Sequence, residues 1–219
     1  VYVREGRRFE GLYFFTAHDA LPVSIGSRPP IHQQSITASH YALDSHAVRK
    51  REEGRIHLDG FLSYPTAVYT VPFGVMVPKS VDNLLLPVPV SGSHIGFSTL
   101  RMEPCWMAIG QAAGITASIS IQDKVKVQNI NIQKLQNLLI DQNATLIYYK
   151  DVNVSSEDFR MVQYMGLKGF LPGWKACLND PIDKETFNAW SKLSGMDLDY
   201  TSEKTTRKEI LYKIYKNLR

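Results

Sequence analysis

The sequence predicts a mixed α/β fold, with an antiparallel sheet region first, a long helix next and a small helical appendage last. Strand-forming residues are dense as far as about residue 80, an uncharged helical stretch covers residues 104–121, and three short helical patterns follow Asp151. Hydrophobic residues make up 44% of the 219 residues and charged residues 21%, which is typical of a globular protein that can build a core.

The charge and cysteine patterns argue against some kinds of partner. The formal net charge is +4, and the positive charges are scattered apart from the stretch after Lys204. Nucleic-acid binding usually needs a clustered basic face, so we expect no nucleic-acid partner. Cys105 and Cys177 lie far apart without metal-ligand spacing, so we expect free thiols and no metal site, with a disulfide between them left open.

The first half of the chain alternates between extended segments and connectors. Residues 1–16 and 35–46 have extended character, and residues 19–34 are rich in Pro, Gly and Ser, which predicts a loop. Residues 48–55 form a charged connector. Residues 61–77 have strand-like composition, but prolines punctuate them, which favours edge strands or strand ends.

A short apolar run and a long helix follow. Residues 84–90 form a continuous apolar stretch, which predicts a strand buried on both faces. After a loop at residues 91–94, a helix is predicted from Glu103 and Pro104 to about Ile121, because Pro is tolerated in a first helical turn. Its polar residues and scarcity of large aliphatic side chains favour a buried helix, so we expect no membrane span.

One face of this helix carries only small residues. Gly110, Ala113, Gly114 and Ala117 recur at helical spacing. Such a face lets a backbone or a flat ligand approach closely, and we expect it to pack against the strand at residues 84–90.

The C-terminal part is predicted to be helical. Residues 132–139 form an apolar helical stripe, and residues 145–149 are predicted to form a short strand. After Asp151 the sequence pattern changes to short helical segments. We therefore expect one domain at residues 1–150 and a small helical domain at residues 151–219. Its predicted helices are one capped by Ser155 or Ser156 and closed by Gly166, one between Asp183 and Gly195, and one capped by Thr205 over residues 206–218.

Four stretches taken together resemble one protein family. Residues 91–114 are the most specific, because Arg101-Met-Glu-Pro104 is followed there by Gly110-Gln-Ala-Ala-Gly114. The chain resembles the C-terminal part of bacterial FAD-dependent oxidoreductases of the glutathione-reductase-like superfamily, and within it a subgroup described as xanthan lyases. The other stretches are Arg4-Glu5 with Arg7-Arg8, Asp44-Ser45-His46, and Val77-Pro78-Lys79 with residues 81–85.

The resemblance implies how the chain meets a flavin. Residues 1–80 would supply a substrate-side sheet, and residues 81–125 the last strand and helix of the FAD-binding domain. The N-terminus of that helix would face the pyrimidine side of the isoalloxazine, where its partial positive charge stabilises a reduced flavin. The implied cofactor-binding residues are Ser93, Met102, Glu103, Pro104, Gly110, Gln111 and Gly114.

His94 and Arg101 are the expected catalytic residues. His94 precedes the flavin-facing helix, where it could act in proton transfer or substrate binding; the alternative is a loop histidine that fixes backbone carbonyls. Arg101 could hold an anionic substrate or the flavin's carbonyl edge; alternatively it pairs with Glu103 or another structural carboxylate.

Two further residues are expected on the substrate side. His46 follows Asp44 by two residues, so both would face one side of a strand, as a substrate-side pair or as a structural hydrogen bond. Tyr69 could contact substrate, although aromatic residues in strands usually serve packing. Arg4 and Arg8 are expected to form interdomain salt bridges.

The sequence contains no Gly-x-Gly-x-x-Gly motif, which cradles the FAD pyrophosphate in such enzymes. We therefore expect the missing N-terminal FAD-binding half as a partner, and self-association through an open sheet edge at residues 84–90. A small, carbohydrate-derived substrate and a periplasmic or secreted bacterial location are expected. The alternatives are a non-catalytic module that binds a partner or glycan, and a polysaccharide lyase.

Overall fold

The structure, a computed structural model, describes residues 6–50, 52–55, 59–198 and 204–218 and divides into two compact units, Val1–Tyr148 and Tyr149–Arg219. The described residues confirm the mixed α/β class, with two small antiparallel sheets early in the chain and helices towards its C-terminal end.

The first unit contains two small sheets of two strands each among its described residues. Strand β1 (Ser35–Ser39) pairs with β4 (Tyr69–Pro72), and β2 (Leu43–Ser45) pairs with β3 (Leu62–Tyr64), both antiparallel. Strand β4 is buried along its whole length, and a 3₁₀ turn, Phe73–Met76, continues it into the core. The extended segments predicted at residues 35–46 and 61–77 are thus present but shorter, and in the second of them prolines limit the strands, as expected.

Residues 11–15 are held between two other parts of the unit rather than in a regular strand. The amides of Leu12 and Tyr13 donate to the carbonyls of Val77 and Gly74, at 2.9 and 3.1 Å. The amide of Phe15 donates to the carbonyl of Ser91 at 3.3 Å, and its carbonyl accepts from the amide of Ser93 at 2.8 Å. These bonds tie the early chain to the region where the site residues lie.

A short helix, α1 (Ala17–Ala20), begins inside the connector that follows. The Asp19 carboxylate accepts hydrogen bonds from both the amide and the hydroxyl of Thr16, at 2.6 and 3.0 Å. The loop prediction for residues 19–34 was therefore wrong at its start. Four residues are too few for a helical period to be visible, although the Thr-x-x-Asp pattern was a cap signature.

The strand predicted at residues 84–90 is wrong. These residues form no strand, and Leu84 is 37% exposed. Pro87 and Pro89 offer no amide hydrogen, so two of the seven residues cannot donate to a sheet, and the amide of Leu86 donates singly to the carbonyl of Met76. The open sheet edge expected here is therefore not present among these residues, and self-association of the chain stays a prediction.

Two helices follow, one expected and one not. Helix α2 (His94–Leu100) begins where a loop was predicted, and Ser93 caps it by accepting from the Gly96 amide at 2.9 Å. Helix α3 (Glu103–Asp123) confirms the predicted long helix, and Lys124 closes it in a left-handed conformation. None of the helices among the described residues is both long and apolar enough to cross a membrane.

Helix α4 (Ile132–Asp141) completes the first unit. Asn131 caps it, and Leu135 and Leu139 of the predicted apolar stripe are fully buried. The short strand predicted at residues 145–149 does not form, because the carbonyl of Thr145 receives a single bond from the Ala38 amide and no ladder continues from it.

The second unit contains three helices in its described part, α5 (Phe159–Leu167), α6 (Lys184–Ser194) and α7 (Arg207–Leu218). Helix α6 is capped by Asp183 and closed by Gly195, as predicted. Helix α5 begins at Phe159, so it begins later than a cap at Ser155 or Ser156 predicts. Helix α7 begins after Thr206 rather than after Thr205, and the Thr206 hydroxyl accepts from the Glu209 amide at 3.3 Å.

Candidate functional site

The residues singled out by sequence lie along one helix–turn–helix. Ser93 and His94 stand at the start of α2, Arg101 at its end, and Met102 at the start of α3. Because α2 is only two turns long, this short stretch carries the chain from the cap of one helix directly to the N-terminus of the next.

His94 fixes a backbone carbonyl. Its Nε2 lies 3.0 Å from the carbonyl oxygen of His46, and since a carbonyl only accepts, Nε2 carries the hydrogen. Gly60, at φ +80°, leaves room for the ring, because a Cβ there would lie 3.3 Å from Nε2. His94 thus fixes a backbone carbonyl, which was its structural alternative, and His46 supplies that carbonyl. A catalytic role for His94 and a substrate-side role for His46 stay predictions.

Arg101 is buried and bound to a carboxylate. Its side chain is 3% exposed, and Nη2 donates to the backbone carbonyl of Asp44 at 2.9 Å and to Oδ2 of the same residue at 3.0 Å. The partner is therefore the carboxylate of Asp44 and not that of Glu103. This pair joins the α2–α3 turn to β2.

An open cleft of about 690 Å³ adjoins the start of α2. It contains two of the predicted site residues, Ser93 and His94, together with two arginines. The described residues that line it are Gly6, Arg7, Arg8, Phe9, Glu10, Phe14, Gly92, Ser93 and His94. The Arg8 guanidinium lies 5.2 Å above the ring of Phe97, a cation–π contact. Arg7 and Arg8 thus both line the cleft. The salt bridge expected for Arg8 stays a prediction, and Arg4 lies outside the described residues.

The N-terminus of α3 has no side-chain cap. Met102 at the capping position forms no side-chain hydrogen bond to the first turn, whereas Ser93, Asn131 and Asp183 each cap a helix elsewhere. The first amides of this 21-residue helix therefore carry a partial positive charge, and no capping side chain accepts their hydrogen bonds.

The glycines on the small face of α3 are uncovered, although Ala113 on that face is buried. Apart from the helix's own backbone, no atom lies within 4 Å of a Cβ built on Gly110 or Gly114, and the flanking Met107 and Ile121 are 74% and 77% exposed. The expectation that Gly110 and Gly114 pack against residues 84–90 is therefore wrong, because those residues form no strand. This exposed face, flanked by the apolar side chains of Met107 and Ile121, is a surface that another body can cover.

Four other predicted residues lie away from the cleft. Gln111 donates from Nε2 to Oε1 of Gln142 at 2.9 Å, which links α3 to the end of α4. Glu103 and Pro104 are exposed in the first turn of α3. Tyr69 is 2% exposed and donates to the Thr99 carbonyl at 3.0 Å, so packing accounts for it.

The cysteines are free in the structure. Burial raises the pKa of Cys105 to about 11, so its thiol is protonated and unreactive at neutral pH. Among the described residues no three His, Cys, Asp or Glu side chains are grouped as metal ligands.

Sequence reasoning missed a buried polar cluster of Tyr13, Asp19 and His32. The Tyr13 hydroxyl donates to Asp19 Oδ1 at 2.6 Å, and His32 Nε2 lies 3.1 Å from the same oxygen. Burial alone would raise the pKa of Asp19, but hydrogen bonds from His32, Tyr13 and Thr16 outweigh it and lower the pKa to about 2. The Thr16-x-x-Asp19 pattern was the only local signal, since His32 comes from a distant part of the loop.

We expect Asp19 to make the stability of the first unit depend on acid pH. Its folded-state pKa lies below the ordinary value of 3.8, so the ionised form stabilises the fold above that value and the contribution is lost as pH falls towards 2. The advantage of the wild type over Asp19→Asn should shrink by about 1–2 kcal/mol between about pH 5 and pH 2 in urea unfolding. Tyr13→Phe, which removes one donor, should show part of this change. An advantage independent of pH would contradict the assignment.

The fold and the site together indicate a class of protein. A mixed α/β unit with an open cleft at the start of α2, and with a long helix α3 that lacks a side-chain cap, is suited to binding a small molecule or cofactor. Residues 1–139 match the family model described as FAD dependent oxidoreductase, so the chain belongs to the FAD-dependent oxidoreductase family. Searches among curated proteins and among solved structures found no match.

Proposed function

We propose that this chain forms the substrate-facing part of an FAD-dependent oxidoreductase that acts on a small, carbohydrate-derived substrate. The family match over residues 1–139 carries the proposal, and it favours neither a glycan-binding module nor a lyase. The sequence likeness of residues 91–114 to the bacterial subgroup described as xanthan lyases supports the choice of substrate class.

Two features of α3 fit a flavin. The amides of Glu103 and Cys105 stand in a first turn without a side-chain cap, so they can donate to the electron-rich edge of an isoalloxazine ring. The open face at Gly110 and Gly114 admits a close neighbour, because nothing lies within 4 Å of either position. When bound, the flavin would supply the two-electron redox chemistry.

The phosphate end of FAD needs a second polypeptide segment. No Gly-x-Gly-x-x-Gly sequence occurs in the 219 residues, so this chain has no cradle of that type for a pyrophosphate. We propose that an N-terminal FAD-binding half supplies it and covers the α3 face between Met107 and Ile121. Removing these two exposed apolar side chains from water would help to stabilise the assembly.

In this proposal His94 acts on the substrate from the edge of the cleft. Its Nε2 is bonded to the His46 carbonyl, which fixes the ring where it would act in proton transfer with a substrate hydroxyl. Arg101 acts as a positioning residue, since its buried bond to Asp44 fixes the turn between α2 and α3.

The test joins this chain to the N-terminal half of a family member. The assembled protein should be yellow, and anaerobic mixing with a panel of monosaccharides should bleach it with at least one of them. His94→Gln should slow the bleaching about 100-fold or more, because a general base contributes that much. His18→Gln, an exposed histidine outside the cleft, should not slow it. An assembled protein that binds no flavin would refute the proposal.

A further inference from the structure

We infer that Phe14 is the residue against which the enzyme's substrate stacks, and that this substrate presents the C–H face of a closed sugar ring to it. The carbohydrate class of the substrate rests on the proposed function, whereas the place of Phe14 rests on the contacts of its own segment. Phe14 lines the cleft at the start of α2, and the cleft volume of about 690 Å³ lies within the range of small-molecule sites, about 300–1,000 Å³.

The Phe14 side chain is exposed although both of its neighbours are directed into the fold. Phe15 is fully buried, and the Tyr13 hydroxyl donates to the carboxylate of Asp19, which is itself buried. Phe14, between them, is 51% exposed and lines the cleft. A large aromatic side chain in this position is not needed for the core, so a ligand in the cleft can cover it.

The backbone on each side of Phe14 is held in place. The Tyr13 amide donates to the Gly74 carbonyl at 3.1 Å, and the Phe15 carbonyl accepts from the Ser93 amide at 2.8 Å. A phenylalanine side chain has few torsion angles, so a ring on a fixed backbone loses little conformational freedom when a ligand stacks against it. Phe14 is therefore a preformed contact surface.

Polar groups lie on the chain segment next to this ring. The bond between Ser93 and Phe15 joins the two segments side by side, so the residues Ser93 and His94 line the same cleft as Phe14. A pyranose has the matching chemistry, because its hydroxyls lie around the edge of the ring and C–H groups cover its faces. A C–H face gains free energy when it leaves water, and its partial positive charge suits the negative face of an aromatic ring.

The binding test uses NMR on the isotope-labelled 219-residue chain without flavin. In a panel of methyl glycopyranosides, at least one should shift the amide signals of Gly92 and Ser93 and should receive saturation from the protein mainly at ring C–H protons. The matching open-chain alditol keeps the hydroxyls but has no ring face, so it should bind at least about threefold more weakly.

Variants then assign the binding to one ring. Phe14→Ala should weaken glycoside binding about three- to tenfold, and Phe14→Tyr, which keeps the aromatic face, should retain it. Phe61→Ala is the matched control, because Phe61 is 57% exposed and lies outside the described lining of the cleft. It should leave glycoside binding unchanged.

The assembled yellow protein provides a kinetic test. With a sugar that bleaches the flavin, Phe14→Ala should raise KM about three- to tenfold and change kcat less, because the ring holds the substrate away from the reacting atoms. A loss of assembly with the N-terminal half, with KM unchanged, would assign Phe14 to the interface between the two halves and overturn the inference.

Three NMR results would also overturn it: no glycoside of the panel binds, a glycoside and its alditol bind equally, or riboflavin occupies the cleft and prevents glycoside binding. The last result would assign the ring to the cofactor. These comparisons use the wild-type chain, so they hold even if a variant fails to fold. Because no flavin is needed for the glycoside titration, its failure leaves the oxidoreductase proposal intact, and failure of the assembled protein to bind flavin leaves sugar binding at Phe14 intact.

Discussion

Gly96→Ala is expected to lower the free energy of unfolding of the first unit by about 3 kcal/mol. A Cβ at this position would lie 2.4 Å from the Phe15 carbonyl oxygen and 2.8 Å from the Thr16 Cα. Both are backbone atoms, so no side-chain rotation can relieve the overlap, and α2 must move away from residues 15–16. Urea unfolding followed by circular dichroism measures the effect.

Gly114→Ala provides the matched control. This glycine also lies inside a helix, but nothing stands within 4 Å of the added carbon. Alanine is the better helix former, so the variant should be more stable than the wild type by about 0.5–1 kcal/mol. Equal effects of the two substitutions would mean that α2 does not pack against residues 15–16 as described.

Arg101→Leu should cost about 2–4 kcal/mol of stability. The substitution keeps an apolar stem in a site that is 3% exposed but removes the donors to the Asp44 carbonyl and carboxylate. The carboxylate is 34% exposed, so water can solvate it in part, which keeps the loss below that of a fully buried pair. Chemical denaturation of the intact chain gives the value.

Two comparisons show where that loss arises. Asp44→Asn keeps the backbone carbonyl as an acceptor, so it should cost less than Arg101→Leu. Arg49→Gln breaks an exposed pair with Asp59, in which the nitrogen–oxygen distance is 3.5 Å, and should change stability by less than about 0.5 kcal/mol. If Arg101→Leu were as mild as Arg49→Gln, the turn between α2 and α3 would not depend on this pair.

The helices that could be predicted from the sequence are those with a long period and a clear cap. Helix α3 has its proline in the first turn, and α6 has Asp183 before it and Gly195 after it. Helices α1 and α2 are too short to show a period. The apolar run at residues 84–90 satisfied the pattern of a buried strand, but pattern alone does not show whether partner strands exist, and its prolines prevented regular pairing.

The site was predictable only as far as local sequence reaches. Ser93 and His94 both line the cleft. They are neighbours in the chain, so a local motif was enough to place them together. The partner of Arg101 is Asp44, 57 residues away, and the carbonyl that holds His94 belongs to His46, 48 residues away. Such contacts depend on how the segments meet in three dimensions, so the residue types suggested chemistry without indicating which groups would be adjacent.

The position of residues 11–15 between two later segments also limits the order in which this region can fold. The Gly11 amide donates to the Ser91 hydroxyl, a partner 80 residues further along the chain. At about 5–20 residues per second, a ribosome needs roughly 4–16 s to make that stretch. During this time the early segment cannot complete its native hydrogen bonds, and closing so long a loop slows its docking further. The cleft can therefore form only after its lining residues 92–94 have been synthesised.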